Sequence, residues 1–343
     1  MSVTIKDVAK FANVAPSTVS RVIANNPRIS DKTKEKVRAA MEELGYHPNF
    51  IARSLANQST QVLGLVTPGS SDVFFQNPFF PTVLRGLSEG AHEKQYALQL
   101  VTGKDEEAIY NGVVQMVQGG RVDGVVLLYS KVEDRILMYL RERKFPFVMI
   151  GKPFKFVDEI THVDNDNFQA TKDATDYLLS LGHERVAFIG GDVNLVVTVE
   201  RLLGYENALE KAGIPYRDDY VLHESFLLEG GQDAVCELME LPLSERPTAL
   251  VVADDLMALG VLNTLNKVGI SVPDDLSILS FNNVLISEMS RPPLSSVDIK
   301  IFDLGYQASR SLIKRIENPD EPYQRIIVSH EIVKRSSTEQ SLK

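Results

Sequence analysis

The sequence predicts a small all-α domain joined to an α/β body built on two parallel sheets. Three observations carry that prediction. The first 60 of the 343 residues contain one glycine, Gly45, and read as short amphipathic helices. From Val62 onward, short apolar runs alternate with stretches of helical period, which is the rhythm of βαβ units. Charge is also divided: residues 1–60 hold nine Lys/Arg against five Asp/Glu, so a +4 segment precedes 283 residues carrying −14 within a total of −10. A basic module on an acidic body is the distribution expected when only one part meets phosphate.

In the basic segment, Thr4 caps a helix over 5–11, with Asp7 near its positive end. Asn13-Val14 interrupts it, and a second helix starts at Pro16, a favoured first-turn residue, and runs to 23 before Asn25-Asn26-Pro27. A third starts at Ser30, places Val37, Met41 and Leu44 on one stripe and stops at Gly45. Two short helices across a tight turn, braced by a third, make a helix-turn-helix, in which one exposed helix can enter the major groove. Residues 50–56 form one or two further turns within a polar linker. A helix that short is marginal alone, since fewer than about 12 residues rarely offset nucleation.

In the body, strands over 62–67, 96–101, 122–128 and 147–150 alternate with helices over 80–94, 106–118 and 133–142. A second series places helices over 168–181, 199–212, 230–239 and 256–268 among strands over 186–189, 220–222, 249–253 and 276–281. Pro292-Pro293 breaks the pattern before a strand over 294–297, a helix over 302–317 and a strand over 325–329. So many strands exceed a comfortable single sheet, so two sheets are implied. Ligands of open α/β sheets bind at the carboxyl ends of strands, which makes a cleft there the default small-molecule site.

Several function classes are disfavoured. Apolar residues at 44 % and charged residues at 24 % exclude a disordered, collagenous or coiled-coil chain. No apolar run approaches the roughly 18 residues of a membrane span, and the N-terminal segment carries charges where a signal peptide needs an apolar stretch, so a cytoplasmic protein without membrane contact is expected. Cys236 alone permits neither an intrachain disulfide nor a cysteine zinc cluster. No G-x-G-x-x-G follows the first strand and no G-x-x-x-x-G-K-[ST] occurs. His47, His92, His162, His183, His223 and His330 fall into no H-E-x-x-H pattern, and no positioned acid pair is evident. Neither an enzyme nor a metal or other cofactor is expected.

Thr4 to Ala9, Val14 to Val22, Thr33 to Val37, Leu44 to Asn49 and Ala52 to Leu55, in this order and spacing, resemble the lactose-repressor (LacI/GalR) family of bacterial transcription regulators. The body resembles that family's periplasmic-binding-protein-like core, so the likeness covers nearly the whole chain. Asn77-Pro78-Phe79-Phe80, Thr102 to Glu106 and Val163 to Asn167 look more narrowly like the maltose-operon repressors of Gram-positive bacteria. The resemblance implies a headpiece over 1–49 and a hinge helix with linker over 50–61. It implies a first core subdomain over 62–162 with 293–322, and a second over 163–292 with 323–343. It also implies a homodimer on double-stranded operator DNA that responds to a sugar effector, maltose or a maltodextrin.

By the same resemblance Thr4, Pro16, Ser17, Thr18 and Arg21 face DNA. Hydroxyls and the guanidinium would bond base edges or phosphates, while Pro16, lacking a donor, offers apolar contact. Ala15 stands where serine is commoner. Asn49, Ala52, Arg53 and Leu55 match the hinge helix, with Leu55 wedged into a central minor-groove step. On the ligand side, Arg201 matches an effector-binding arginine whose fork spans two hydroxyls. Asp254 and Asn282 follow strand ends, although the family often has Asn at the first and Asp at the second. Asp164 or Asn165 contributes from a crossover, and Phe79, Phe80 or Phe226 stacks on a sugar face. Asp254 also has the plainer role of a helix cap, worth about 1 kcal/mol. A carbohydrate-binding protein without a transcriptional role, or a regulator whose ligand is a corepressor, remains the alternative.

Overall fold

A computed structural model describes residues 3–23, 26–46 and 59–341. The expected hinge helix, with Asn49, Ala52, Arg53 and Leu55, lies outside the described residues. The chain divides into two compact units, one of Met1–Gln61 with Gly120–Val122 and one of Val62–Gly119 with Asp123–Lys343.

The first unit is a three-helix domain: α1 (Ile5–Phe11), α2 (Pro16–Ile23) and α3 (Asp31–Glu43). Asp7 locks the start of α1 by accepting from the Thr4 backbone N–H at 2.9 Å and the Thr4 hydroxyl at 2.7 Å. Those bonds hold its carboxyl below the usual carboxylate range. Asn13, at φ +47°, makes the turn into α2. Val8, Ala9, Ala12, Val19, Val22, Val37 and Ala40 form the buried centre. Small side chains let the three helices approach closely, and the periodic stripes predicted from sequence are the ones that pack.

The second unit contains twelve strands: β1 (Val62–Ser70), β2 (Ala97–Gly103), β3 (Gly124–Leu127), β4 (Phe147–Ile150), β5 (His162–Asp164), β6 (Val186–Gly190), β7 (Val221–His223), β8 (Ala249–Val252), β9 (Ser277–Phe281), β10 (Ser295–Asp298), β11 (Arg325–Ile327) and β12 (Glu331–Val333). Its helices are α4 (Ser71–Gln76), α5 (Phe79–His92), α6 (Glu106–Gln118), α7 (Arg135–Glu142), α8 (Asn167–Ser180), α9 (Val196–Ala212), α10 (Leu228–Glu240), α11 (Asp255–Val268), α12 (Leu285–Met289) and α13 (Ile301–Glu317). The strands form two six-stranded sheets, ordered β11-β5-β4-β3-β1-β2 and β12-β10-β9-β8-β6-β7. All pairs are parallel except β12, which runs antiparallel to β10 at an edge. Among the described residues, no helix is long and apolar enough to cross a membrane.

Sheet membership shifts the expected subdomain boundaries. Boundaries at 292 and 323 put the strand after Pro292-Pro293 in the first subdomain and the strand from Arg325 in the second. Pairing reverses both, because β10 aligns Ser295 with Leu279 of β9, and β11 aligns Arg325 with His162 of β5. A proline pair marks a turn, whereas the available backbone edge decides the sheet. The chain therefore passes between the sheets after Asp164, after Asp298 and after Ile327, rather than at 162, 292 and 323. Asn165 Nδ2 joins these three passages, donating to the Ile299 carbonyl at 2.8 Å and the Val328 carbonyl at 3.0 Å.

On the first sheet, α5 and α13 pack with backbones in near contact. A Cβ on Gly86 would lie 2.0 Å from the Phe302 carbonyl oxygen, and one on Gly305 would lie 2.2 Å from that of Val83. Gly86→Ala tests this crossing. Helix propensity favours alanine by about 1 kcal/mol, but overpacking against a backbone carbonyl costs roughly 1–3 kcal/mol or more. The variant is expected to have a lower denaturation midpoint. An unchanged or raised midpoint in urea would show that α13 moves away freely.

Candidate functional site

On the first unit, α2 turns Val19 and Val22 into the core and leaves Pro16, Ser17, Ser20 and Arg21 exposed. Thr18 lies at the edge of this face, half-buried. Ser20 was not among the sequence candidates, but the 3.6-residue period places it beside Ser17, on the side away from Arg21. Thr4 is exposed, and its hydroxyl already donates to Asp7. The face therefore presents hydroxyls, one guanidinium and an apolar ring, a set suited to base edges and phosphates.

In the second unit, the carboxyl ends of both sheets open on a cavity of about 440 Å³. Its lining brings together Phe79, Phe80, Asp164, Asn165, Arg201, Phe226, Asp254 and Asn282, the eight residues named from sequence on the ligand side. Phe79 and Phe80 meet edge to face with centroids 5.2 Å apart. Phe226 lies so close to Gly191 that a Cβ there would fall 2.2 Å from the ring. Rings on one side and carboxylates, amides and a guanidinium elsewhere suit a ligand with apolar C–H faces and many hydroxyls.

The polar groups are engaged with one another before any ligand arrives. Arg201, 3 % exposed on α9, donates from Nε to Asn167 Oδ1 at 3.1 Å and from Nη1 to the Ala253 carbonyl at 2.5 Å. Its guanidinium lies 4.2 Å from the Phe281 ring centre. Among the described residues only Nε and Nη1 are bonded, so Nη2 is the amino group left to the cavity rather than the two-toothed fork expected. Burial pushes its pKa down to about 10, opposed by the charges of Asp254, Asp164 and Asp255, so it stays a cation at neutral pH.

Asp254 caps α11 through Oδ1, which accepts from Leu256 N at 2.7 Å and Met257 N at 3.4 Å. Oδ2 accepts from Asn282 Nδ2 at 2.7 Å and Asn77 Nδ2 at 2.9 Å. Its acceptor sites are thereby filled, so the cap is realised alongside a place in the cavity wall. Burial pushes its carboxyl up to about 6 against these donors. Asn282 holds its amide there with a backbone φ of +104°, a conformation asparagine tolerates better than most residues. Asn165, by contrast, spends both amide hydrogens on the crossovers.

Asn77, Asn167, Lys152 and Glu200 also line the cavity and were not candidates. Asn167 bridges Arg201 to Asp164, donating to Asp164 Oδ1 at 3.0 Å. Asn77 crosses from the first-sheet side to Asp254 and to the Phe226 carbonyl, at 2.9 and 3.0 Å. Lys152 Nζ meets Glu200 Oε1 at 2.7 Å. Backbone pairs add Val196 N to Ser130 O at 3.0 Å and Val132 N to Asn194 O at 2.9 Å. The sequence signal for Asn77 was its place in Asn77-Pro78-Phe79-Phe80, one of the segments that carry the family resemblance.

Residues 4–49 match the model for bacterial regulatory proteins of the lacI family, and residues 175–338 match a periplasmic binding protein-like domain. The chain is 44 % identical over 345 residues to the HTH-type transcriptional regulator MalR of Streptococcus pneumoniae, covering 98 % of this chain and 100 % of that one. A solved LacI transcriptional regulator from Bacillus cereus subsp. cytotoxis superposes with TM-score 0.80 at 51 % identity, covering 82 % of this chain and 99 % of that one. The transcriptional regulator CelR in complex with cellobiose gives TM-score 0.77 at 31 % identity over 98 % of this chain and 99 % of that one.

Asp164 supplies a pH test. Burial, with Glu200 nearby, pushes its carboxyl up to about 7, while Asn165, Arg325 and Arg201 pull it down. The folded chain thus holds a proton that an unfolded aspartate, with a pKa near 3.9, has released. The stability contributed by this group falls as pH rises from about 4 to 7 and levels off above that. Asp164→Asn keeps the acceptor for Asn167. It is expected to raise the denaturation midpoint at pH 8 and to leave it nearly unchanged at pH 4.5. Equal effects at both pH values would show that Asp164 is an ordinary carboxylate.

Proposed function

The chain belongs to the lacI family of bacterial regulatory proteins, which bind DNA and are not catalytic, and from that premise we propose that it is a sugar-responsive repressor of maltose or maltodextrin utilisation genes. It acts as a homodimer. Two headpieces engage a pseudopalindromic operator through Ser17, Thr18 and Arg21, and hinge segments carrying Leu55 enter the minor groove between them. Maltose or a related glucan occupies the cavity beside Arg201 and changes the relation of the two sheets, and repression weakens.

One observation carries this reading. Eight residues scattered from Phe79 to Asn282 line one cavity with rings, carboxylates, amides and a guanidinium, in a chain whose basic helical unit exposes hydroxyls and a guanidinium on one face. The alternative of a carbohydrate-binding protein without a transcriptional role gives that helical unit nothing to do. Similarity to a solved maltose operon transcriptional repressor of Staphylococcus, 29 % identical with TM-score 0.75 over 82 % of this chain, favours maltose over other sugars, and the cellobiose complex of CelR supports a disaccharide as the size of ligand.

Operator titration across a panel of sugars tests the proposal directly. If maltose prefers the DNA-incompetent arrangement, linkage requires operator to weaken maltose binding by the factor by which maltose weakens operator binding, with a coupling of about 1–3 kcal/mol. Equal reciprocal factors are expected at fixed salt. Reciprocal strengthening would make the sugar a corepressor, and no shift with any glucan would remove the maltose response while leaving DNA binding in place.

Leu55→Ala isolates the wedge. Specific operator affinity should fall by roughly tenfold or more, since a lost apolar wedge forfeits at least about 1.4 kcal/mol of contact and bending, while sugar affinity stays unchanged. Operator affinity equal to that of the unaltered chain would remove Leu55 from the groove.

A further inference from the structure

Sugars occur in cells both free and phosphorylated, and a cavity for one differs from a cavity for the other in what it offers an anion. In open α/β folds the helices that follow the strands turn their N-termini toward the carboxyl-end cleft, and their unpaired N–H groups and positive dipole ends are where phosphates bind. Here the chain's own carboxylates take those places. Asp105 caps α6, accepting from Ala108 N at 2.8 Å, and Asp166 caps α8, accepting from Gln169 N at 3.0 Å. Asp254 caps α11 in the same way. The first N–H of α9 goes instead to the Ser130 carbonyl at 3.0 Å.

The cations of the cavity are committed as fully. Lys152 Nζ is held by Glu200 at 2.7 Å, and Lys131 is paired with Glu106. Arg201 keeps only Nη2 for a ligand, and that group lies in the field of Asp254, Asp164 and Asp255. Among the described residues of the lining, six acids (Asp105, Glu106, Asp164, Asp192, Glu200 and Asp254) face Lys131, Lys152 and Arg201. Burial pushes Asp164 up to about 7, and with that group protonated the acids still outnumber the bases.

We propose that the cavity admits uncharged sugars and refuses their phosphorylated forms, with Glu200 and Glu106 enforcing the refusal by occupying the two lysines. A hydroxyl both donates and accepts, so it fits a wall of carboxylates and amides. A phosphate monoester brings about −1.5 to −2 charges and a set of acceptors, and meets acids at the helix ends and lysines already paired. The chain then reads a sugar ahead of any phosphoryl transfer to it, and the phosphorylated product no longer registers. This rests on the sugar reading of the cavity.

Calorimetry with the full chain tests it, using maltose and cellobiose, each beside its own 6′-phosphate. Each phosphate should bind at least about thirtyfold more weakly than its parent sugar. Glu200→Gln and Glu106→Gln alter charge and keep size. Each frees a lysine and should narrow that ratio by at least about threefold, which exclusion by shape would not allow. The Glu106 side chain is 78 % exposed, so Glu106→Gln decides the matter even where Glu200→Gln fails to fold. A phosphate that binds within about threefold of its parent, or a ratio that neither variant moves, overturns the proposal and leaves the sugar reading standing. Binding of cellobiose without maltose overturns the maltose reading, and the cellobiose pair then decides this one. Absence of binding for both uncharged sugars overturns both.

Discussion

The Asn165 side chain donates both of its amide hydrogens across the fold, to the Ile299 carbonyl at 2.8 Å and the Val328 carbonyl at 3.0 Å. Those carbonyls belong to the second and third passages between the sheets, and Asn165 itself begins the first. Three chain segments far apart in sequence are therefore gathered by one nitrogen that is almost fully buried. Asp164 precedes it by one residue and Asn167 follows by two, so the cavity's acid and the partner of Arg201 take their places from the same bonds. Removing the amide would leave two carbonyls short of a donor, at roughly 1–3 kcal/mol for each that stays dry. A replacement that fills the space without donating cannot compensate.

Local pattern made most of this legible. The headpiece helices and the long βαβ units carry periodic stripes, and the structure puts those stripes in the core. Strand β5 has three residues and β12 has three, too few for alternation to register. The destinations of β10 and β11 were misread for a different reason: sheet membership is set by the partner edge, which for β11 is β5, 163 residues away, and for β10 is the neighbouring β9, a continuation that the turn at Pro292-Pro293 does not report. In the cavity, the residues named at strand ends do line one space. What sequence could not convey was which donors they had already committed, because that depends on the other wall. Asn77 and Asp254 are 177 residues apart and share a hydrogen bond.

Asp164 and Asp254 in the cavity wall, and Asp255 behind it, are buried close to a buried guanidinium. Taking such charges out of water costs several kcal/mol per ion unless they are paired and fully bonded. The fold meets that cost mostly with neutral donors: the amides of Asn77, Asn167 and Asn282, the hydroxyls of Ser280 and Ser296, and the backbone N–H groups opening α11. The same chemistry lets an acid at 254 and an amide at 282 stand in for the reverse arrangement that the family resemblance leads one to expect. The two side chains bond each other at 2.7 Å, so exchanging carboxylate and amide keeps one donor facing one acceptor. The exchange alters only the edge each presents to the cavity, which is where ligand preference would be decided.

Two of the contacts joining the sheets across the cavity, Asn77 with Asp254 and Lys152 with Glu200, are made by side chains that line it. On the proposed reading, a sugar hydroxyl that takes one of these donors or acceptors competes with closure, and one that bridges a pair reinforces it. A hydrogen bond to a charged group contributes about 1.5–3 kcal/mol. That matches the 1–3 kcal/mol typical of coupling between sites, so altering one or two such contacts is enough to move the equilibrium. The Asn165 bonds work differently. They lie where the three passages run together, about which the sheets would turn on that reading. A turn that keeps them made would leave them out of the difference between states, since a ligand shifts an equilibrium only through contacts that differ between them. Stability thus resides at the crossovers and the response in the cavity wall, which lets the sugar-contacting side chains change without loosening the frame that carries them.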